Sequence, residues 1–228
     1  MKNTLLTFVT LFIVSCNSDK NQMIVSGDVD GLRKGTIYLQ KEQDSTIVSL
    51  DSIKITGDSN FELSTKINEP DIYYLYLDKD DGDSLNDIIT FFGNKGEITI
   101  NTSLSTFDSS YEVSGSKNSE LLREYFSIIR RYNLQNLDLL ETYYNAQINN
   151  NQKRIDSVNK ELEDLIRRKY LYSLNFSITN SENEVSPYIV VSQIPDANID
   201  LLRKVYDTLP ENIKVSKYGK VLLELSID

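Results

Sequence analysis

Cys16 is the only cysteine in the 228-residue chain, and histidine is absent altogether. Without an imidazole, the Ser-His-Asp and Cys-His nucleophile arrangements are excluded, as are His-ligated zinc or iron sites. A single thiol closes no intrachain disulfide and forms no two-thiol redox centre. Any acid–base chemistry would rest on carboxylates, lysine or tyrosine, and 34 acidic residues offer too many pairs for one to be singled out. The acidic run Asp78 to Asp87 suggests calcium. In a calcium-binding helix–loop–helix loop, however, glycine is needed at position 6 and glutamate at position 12; counted from Asp78, Gly82 stands at position 5 and Ile89 at position 12. A solvated acidic hairpin loop is the expected reading. No metal and no cofactor is assigned.

The setting of Cys16 gives its thiol a different use. Lys2 precedes an apolar stretch from Leu5 to Val14 that is interrupted only by Thr7 and Thr10, which is an h-region too short to span a bilayer. Ile13-Val14-Ser15-Cys16 then resembles the lipobox of bacterial lipoproteins, which implies cleavage before Cys16, a diacylglyceryl thioether on its sulfur and acylation of the freed amine. Several acyl chains anchor stably where one does not. The expected layout is a signal peptide over 1–15, a polar tether over 16–22, a β-domain over 23–115 and a helical domain over 116–228. Removing residues 1–15 takes away Lys2 and no acid, so the formal charge goes from −10 to −11. Such a chain is not drawn to nucleic acid or anionic lipid by electrostatics.

From Met23 to about Gly115 apolar residues recur with period two between Gly, Asn, Asp and Ser clusters, which predicts about eight short strands. "TIVSLDSIKI" changes phase at Asp51-Ser52, as at a bulge. "DIYYLYLD" has Ile72, Tyr74 and Tyr76 on one side and Tyr73, Leu75 and Leu77 on the other, which predicts a strand covered on both faces. Tyr is well suited to binding surfaces, so this strand is also a candidate groove lining. Gly93-Asn94-Lys95-Gly96 is a hairpin signal.

After Ser116 the period becomes helical. Leu121, Tyr125, Ile128, Ile129 and Tyr132, then Leu137, Leu140, Tyr144 and Ile148, and beyond "NNNQ" Ile155, Val158, Leu162, Leu165 and Ile166, predict a long helical hairpin. Ser186-Pro187 reads as a cap with proline at the first helical position. Further helices are expected at about 198–209 and, capped by Ser216, at about 217–227. Arg130-Arg131 and Arg167-Arg168-Lys169 come level if the hairpin closes, and pairing with neighbouring acids is the expected outcome. Leu134, Leu139 and Tyr143 lie off the stripe of Leu137, Leu140 and Tyr144. They are therefore the residues expected to offer a second face to another chain.

The fold class is therefore α+β: an N-terminal antiparallel β-sandwich or partly open barrel, then a helical hairpin and short C-terminal helices. The succession "VSGDVDGLRKGTIYLQ", "LDSIKITGDSNFEL", "PDIYYLYLD", "FFGNKGEITI" and "YEVSGSKNSELLREY" resembles the N-terminal β-domain of unknown function in envelope lipoproteins of Gram-negative bacteria, over roughly residues 23–125. In many of those proteins it precedes a thioredoxin-like thiol-disulfide oxidoreductase domain. Cys-x-x-Cys does not occur here, so that activity is carried to no residue. The leading expectation is a non-enzymatic lipoprotein held through Cys16 in the cell envelope, at the outer membrane, and serving as a binding or scaffolding module with a protein partner on the hairpin. The alternative is the detached front part of an oxidoreductase system that works with a thioredoxin-like protein in trans.

Overall fold

A computed structural model describes residues 21–79 and 87–227. Strands come first: β1 (Gln22–Asp30), β2 (Lys34–Gln43), β3 (Thr46–Thr56), β4 (Asn60–Lys66), β5 (Asp71–Asp78), β6 (Asp87–Gly93), β7 (Gly96–Ser103) and β8 (Glu112–Ser114). Helices follow: α1 (Lys117–Ile148), α2 (Gln152–Thr179), α3 (Val185–Gln193), α4 (Ile199–Thr208), α5 (Glu211–Lys214) and α6 (Lys217–Leu225). This is the expected α+β arrangement with an N-terminal sandwich. Gln22, expected as the last tether residue, already pairs with Lys66.

The two sheets have the orders β4-β1-β7-β8 and β3-β2-β5-β6. Their facing sides enclose Met23, Val25, Ile37, Leu39, Leu63, Tyr73, Leu75, Phe91, Ile98 and Ile100, so period-two alternation becomes one interior between two layers. Two expectations are corrected. The segment Gly93–Gly96 does not close a hairpin, because β6 belongs to one sheet and β7 to the other; it is a corner, and β7 runs parallel to β1 from Met23↔Gly96 to Asp30↔Ser103. A turn signal specifies a reversal of the chain and not which strand lies alongside. The other described strand pairs are antiparallel. Gly27 is imposed by the parallel pairing, since a Cβ there would lie 1.8 Å from the carbonyl oxygen of Ile100.

The bulge sits one residue before the expected place. Leu39 pairs with Asp51 and Gln40 with Ser49, which leaves Leu50 as the extra residue. A real hairpin joins β2 to β3 through Asp44 and Ser45, both with positive φ (48° and 63°). It lacks the glycine that normally marks a two-residue turn.

β5 is covered on both faces, as its two apolar sides require. Ile72 and Phe92, on the outer side of their sheet, pack with Leu121, Leu122, Tyr125 and Ile189 of the helices. The edge strand β6 is closed by the first turn of α1. The Ser119 hydroxyl donates to the Phe92 carbonyl (2.7 Å) and accepts from the Phe92 N–H (3.0 Å), and Ser116 donates to the same carbonyl (3.0 Å). A sheet edge that would otherwise template another strand is thereby occupied. Asn118 ties the same turn to α3, donating to Glu184 (2.7 Å) and accepting from Val185 N–H (3.0 Å).

The start of α3 differs from expectation. Ser186 lies inside the helix and is buried, donating to the carbonyl of Ser177 at 2.7 Å. Pro187 remains in the first turn, where its missing N–H costs nothing. Asn151, Asn198 and Ser216 cap α2, α4 and α6 with their side-chain oxygens. A third buried cluster packs Tyr170, Leu174 and Ile178 of α2 with Val190, Leu202, Val205, Ile213 and Leu222.

Candidate functional site

Asp71 opens β5 and is 3% exposed. Its neighbours come from opposite ends of the chain. Lys41 of β2 places Nζ 2.8 Å from Oδ2, Lys217 of α6 places Nζ 2.8 Å from both oxygens, and the Tyr218 hydroxyl donates to Oδ1 at 2.5 Å. The Ile72 N–H also donates to Oδ1 (2.9 Å). Burial works against the charge on Asp71, but the hydrogen bonds from Lys217, Lys41, Tyr218 and the backbone outweigh it and hold the carboxyl below its ordinary range. Burial likewise works against the Lys41 ammonium, and Asp71 outweighs it and raises that lysine. Burial and the adjoining carboxylate push the Tyr218 hydroxyl far up. Tyr188 is pushed up to about 12, chiefly by burial.

These groups sit where sandwich meets helices. Phe92, Tyr188 and Tyr218 make edge contacts at 5.9, 5.9 and 5.0 Å between centroids, and a cavity of about 440 Å³ opens beside them, bounded by Tyr74, Glu42 and Asp44. The shifts favour the charged forms of Asp71 and Lys41 and the protonated hydroxyl of Tyr218. The arrangement therefore holds fixed charges in place and locks α6 to β5.

The other distinctive feature is the hairpin. The three buried clusters take no residue of α1 beyond Tyr132 and none of α2 before Tyr170. The remainder, residues 133–169, is an arm whose α1 side extends about 24 Å at 1.5 Å per residue. Its inner seam steps by four and three along Tyr125, Ile129, Tyr132, Asn136, Leu139, Tyr143 and Ala146, the 3.5-residue repeat of paired helices. Along the arm part of this seam Ala146 is buried and Leu139 and Tyr143 are half-buried, whereas Leu134, Leu137, Tyr144 and Ile148 are 53–76% exposed. The expected stripe thus has the wrong phase. Leu139 and Tyr143 turn inward, and Leu137 and Tyr144 are the outward residues. The seam continues the phase set at Tyr125 and Ile129, where the body of the protein anchors α1. On α2, Val158 and Leu165 are buried and Ile166 is 65% exposed.

The remaining sequence candidates disperse. Cys16, with its signal segment, lies outside the described residues, as do residues 80–86 of the acidic loop; Lys79 and Asp87 pair across its ends at 2.6 Å. Of the tyrosines on β5, Tyr73 lies in the sandwich interior, Tyr74 borders the cavity and Tyr76 stacks on Tyr38 at 5.6 Å. The two basic runs do not merge. Lys169 reaches Asn133 (3.1 Å), Arg167 and Arg168 line a groove with Asp138, Glu161 and Asp164, and Arg130 faces a different groove. Among the described residues, no cluster of three or more acids could hold a metal ion, and no helix is long and apolar enough to cross a membrane.

The Asp71 cluster escaped sequence reasoning. Its one signal is an acid placed directly before an all-apolar strand, which marks a buried charge in need of partners without saying where they lie.

Comparison with known proteins adds one assignment. Residues 23–122 match the model of a domain of unknown function (DUF4369), a span that takes in the sandwich from Met23 onward and the opening of α1 that seals its edge. No curated protein and no solved structure matches the chain significantly.

Proposed function

We propose that this protein is a non-catalytic, lipid-anchored module of the cell envelope, held at the outer membrane through Cys16, that binds or positions another protein with its helical arm. The observation that carries this reading is the arm: just past the last buried cluster on α1, which ends at Tyr132, Leu134 and Leu137 begin an apolar face left exposed by the described residues. Such faces mark interaction surfaces. The sandwich is the body that carries the arm, and the Asp71 cluster fixes the helices to it. The lipobox supports the anchor, and the match over residues 23–122 agrees with an N-terminal β-domain.

The test is a shortened arm, in which residues 137–165 are replaced by the chain's own turn, 149–152. Because no buried cluster draws on that segment, the variant is expected to unfold as cooperatively as wild type. Crosslinking in intact envelopes is expected to give a discrete adduct with wild type that the shortened form lacks. Identical adduct patterns from two folded, membrane-held proteins would sink the reading.

A further inference from the structure

The outward face of α1 is complementary to itself. Arg130, Leu134, Leu137, Glu141, Tyr144 and Ile148 fall within about 40° of one line on the helix at 3.6 residues per turn, on the side opposite the seam toward α2. Between residues 130 and 148 the charges are Arg130, Arg131, Asp138 and Glu141, so this face is neutral on a chain of net charge −10. Its cations stand toward the body and its anions toward the tip. At the body end the same face opens into a groove of about 600 Å³, where Phe126 and Ile129 form apolar lining among Arg123, Ser127 and the acidic Glu120 and Glu124 of the helix, opposite Asp108 and Tyr111. The tip carries Tyr144 (59%) and Ile148 (76%), the latter the most exposed apolar residue of the helix.

We infer that the partner of this face is a second copy of the chain, with α1 laid antiparallel on α1 about a two-fold axis near residues 135 and 136. This rests on the reading of the arm as a binding element. That one register satisfies every feature of the face. Leu134 meets Leu137 of the other copy at the axis, and Arg130 meets Glu141 on either side. Tyr144 falls opposite Ser127 and Ile148 opposite Arg123, so each apolar tip enters the other copy's groove. The interface is isologous, as a two-fold requires, and it closes with two subunits. A parallel pairing would set Arg130 against Arg130 and leave both grooves empty. The neutral face also removes the local repulsion that an acidic chain would otherwise meet on approaching its own copy.

The test uses the full chain in density-matched detergent, with its mass followed by sedimentation equilibrium. Wild type is expected to be dimeric. Arg130→Glu and Glu141→Arg are each expected to weaken association about tenfold or more, and the double variant, which restores opposite charges across the two-fold, to return to the wild-type constant. Both residues are exposed, so urea midpoints taken at concentrations where all forms are monomeric should not move, which separates folding from pairing. A monomeric wild type overturns the inference. So does a dimer indifferent to both single changes, or one that the double change fails to restore. If wild type is monomeric while the shortened arm still loses its envelope adduct, the module reading stands and the partner is a different protein.

Discussion

Lys217 and Asp71, 146 residues apart, meet at 2.8 Å from the lysine nitrogen to both carboxylate oxygens. With Lys41 on the other side of the carboxylate at 2.8 Å, the last helix, the second strand and the fifth strand are bound at one buried point. An acid at 3% exposure is tolerable there because its hydrogen-bonding capacity is met by two ammoniums, a hydroxyl and a backbone N–H.

Asp71→Asn is expected to destabilise the chain by about 1–3 kcal/mol, because it leaves two ammoniums facing a neutral amide. Their partial exposure (side chains 23% and 43%) keeps the effect short of a fully buried pair. The folded-state pKa of Asp71 is depressed, so its contribution is present above the unfolded value of about 3.9 and is lost as pH falls through the folded value. Lys41 is raised, so its share is full below the unfolded value of about 10.4 and disappears as pH climbs through the folded one. Urea midpoints across pH should therefore fall at both extremes in wild type, and the acid-side fall should be shallower in Asp71→Asn. Equal acid-side slopes would rule out this role.

Ser119→Ala removes the hydroxyl that serves both backbone groups of Phe92. The N–H has no other partner on the open side of the sheet, and Ser116 still serves the carbonyl. A loss of about 1–3 kcal/mol is expected, with faster amide exchange at Phe92 as the specific signature. Unchanged exchange at that amide would mean the edge is sealed by other means.

The β2–β3 turn stores strain in two non-glycine residues of positive φ, Asp44 and Ser45. Ser45→Gly relieves one of them and is expected to stabilise the chain by about 0.5–1 kcal/mol, read as a higher urea midpoint with an unaltered slope. A lower midpoint would show that the serine does something beyond filling the turn.

Cys16→Ala is expected to abolish incorporation of labelled acyl chains and to move the protein out of the detergent-rich phase. The lipobox at Ile13 to Cys16 motivates this, together with the affinity that several acyl chains confer. Label incorporation equal to wild type would refute the anchor.

Most element types and several boundaries are legible without coordinates, because they depend on near neighbours. Alternation at Phe61 and Leu63 or Ile98 and Ile100 already requires strands with one buried face, and the cap at Ser216 marks a helix start through a hydrogen bond spanning three residues. The four-residue helix Glu211–Lys214 left no periodic trace and went unseen, being too short to show a period. The Ser186 start of α3 misled because a serine before proline has the composition of a cap while its hydroxyl is bonded to Ser177.

What the sequence by itself determined was the order of strands and then helices, their approximate extents, the absence of imidazole chemistry and the presence of a single cysteine. The tertiary structure alone decided that β7 lies parallel beside β1, that Leu139 and Tyr143 point inward while Leu137 and Tyr144 point out, and that Asp71 finds Lys41 and Lys217. The reason is the same in each case. Periodicity states that a face is apolar, and a lone acid before a strand states that a charge needs partners, but what covers that face or meets that charge lies tens of residues or more away along the chain. Only the packing of the whole molecule brings it there.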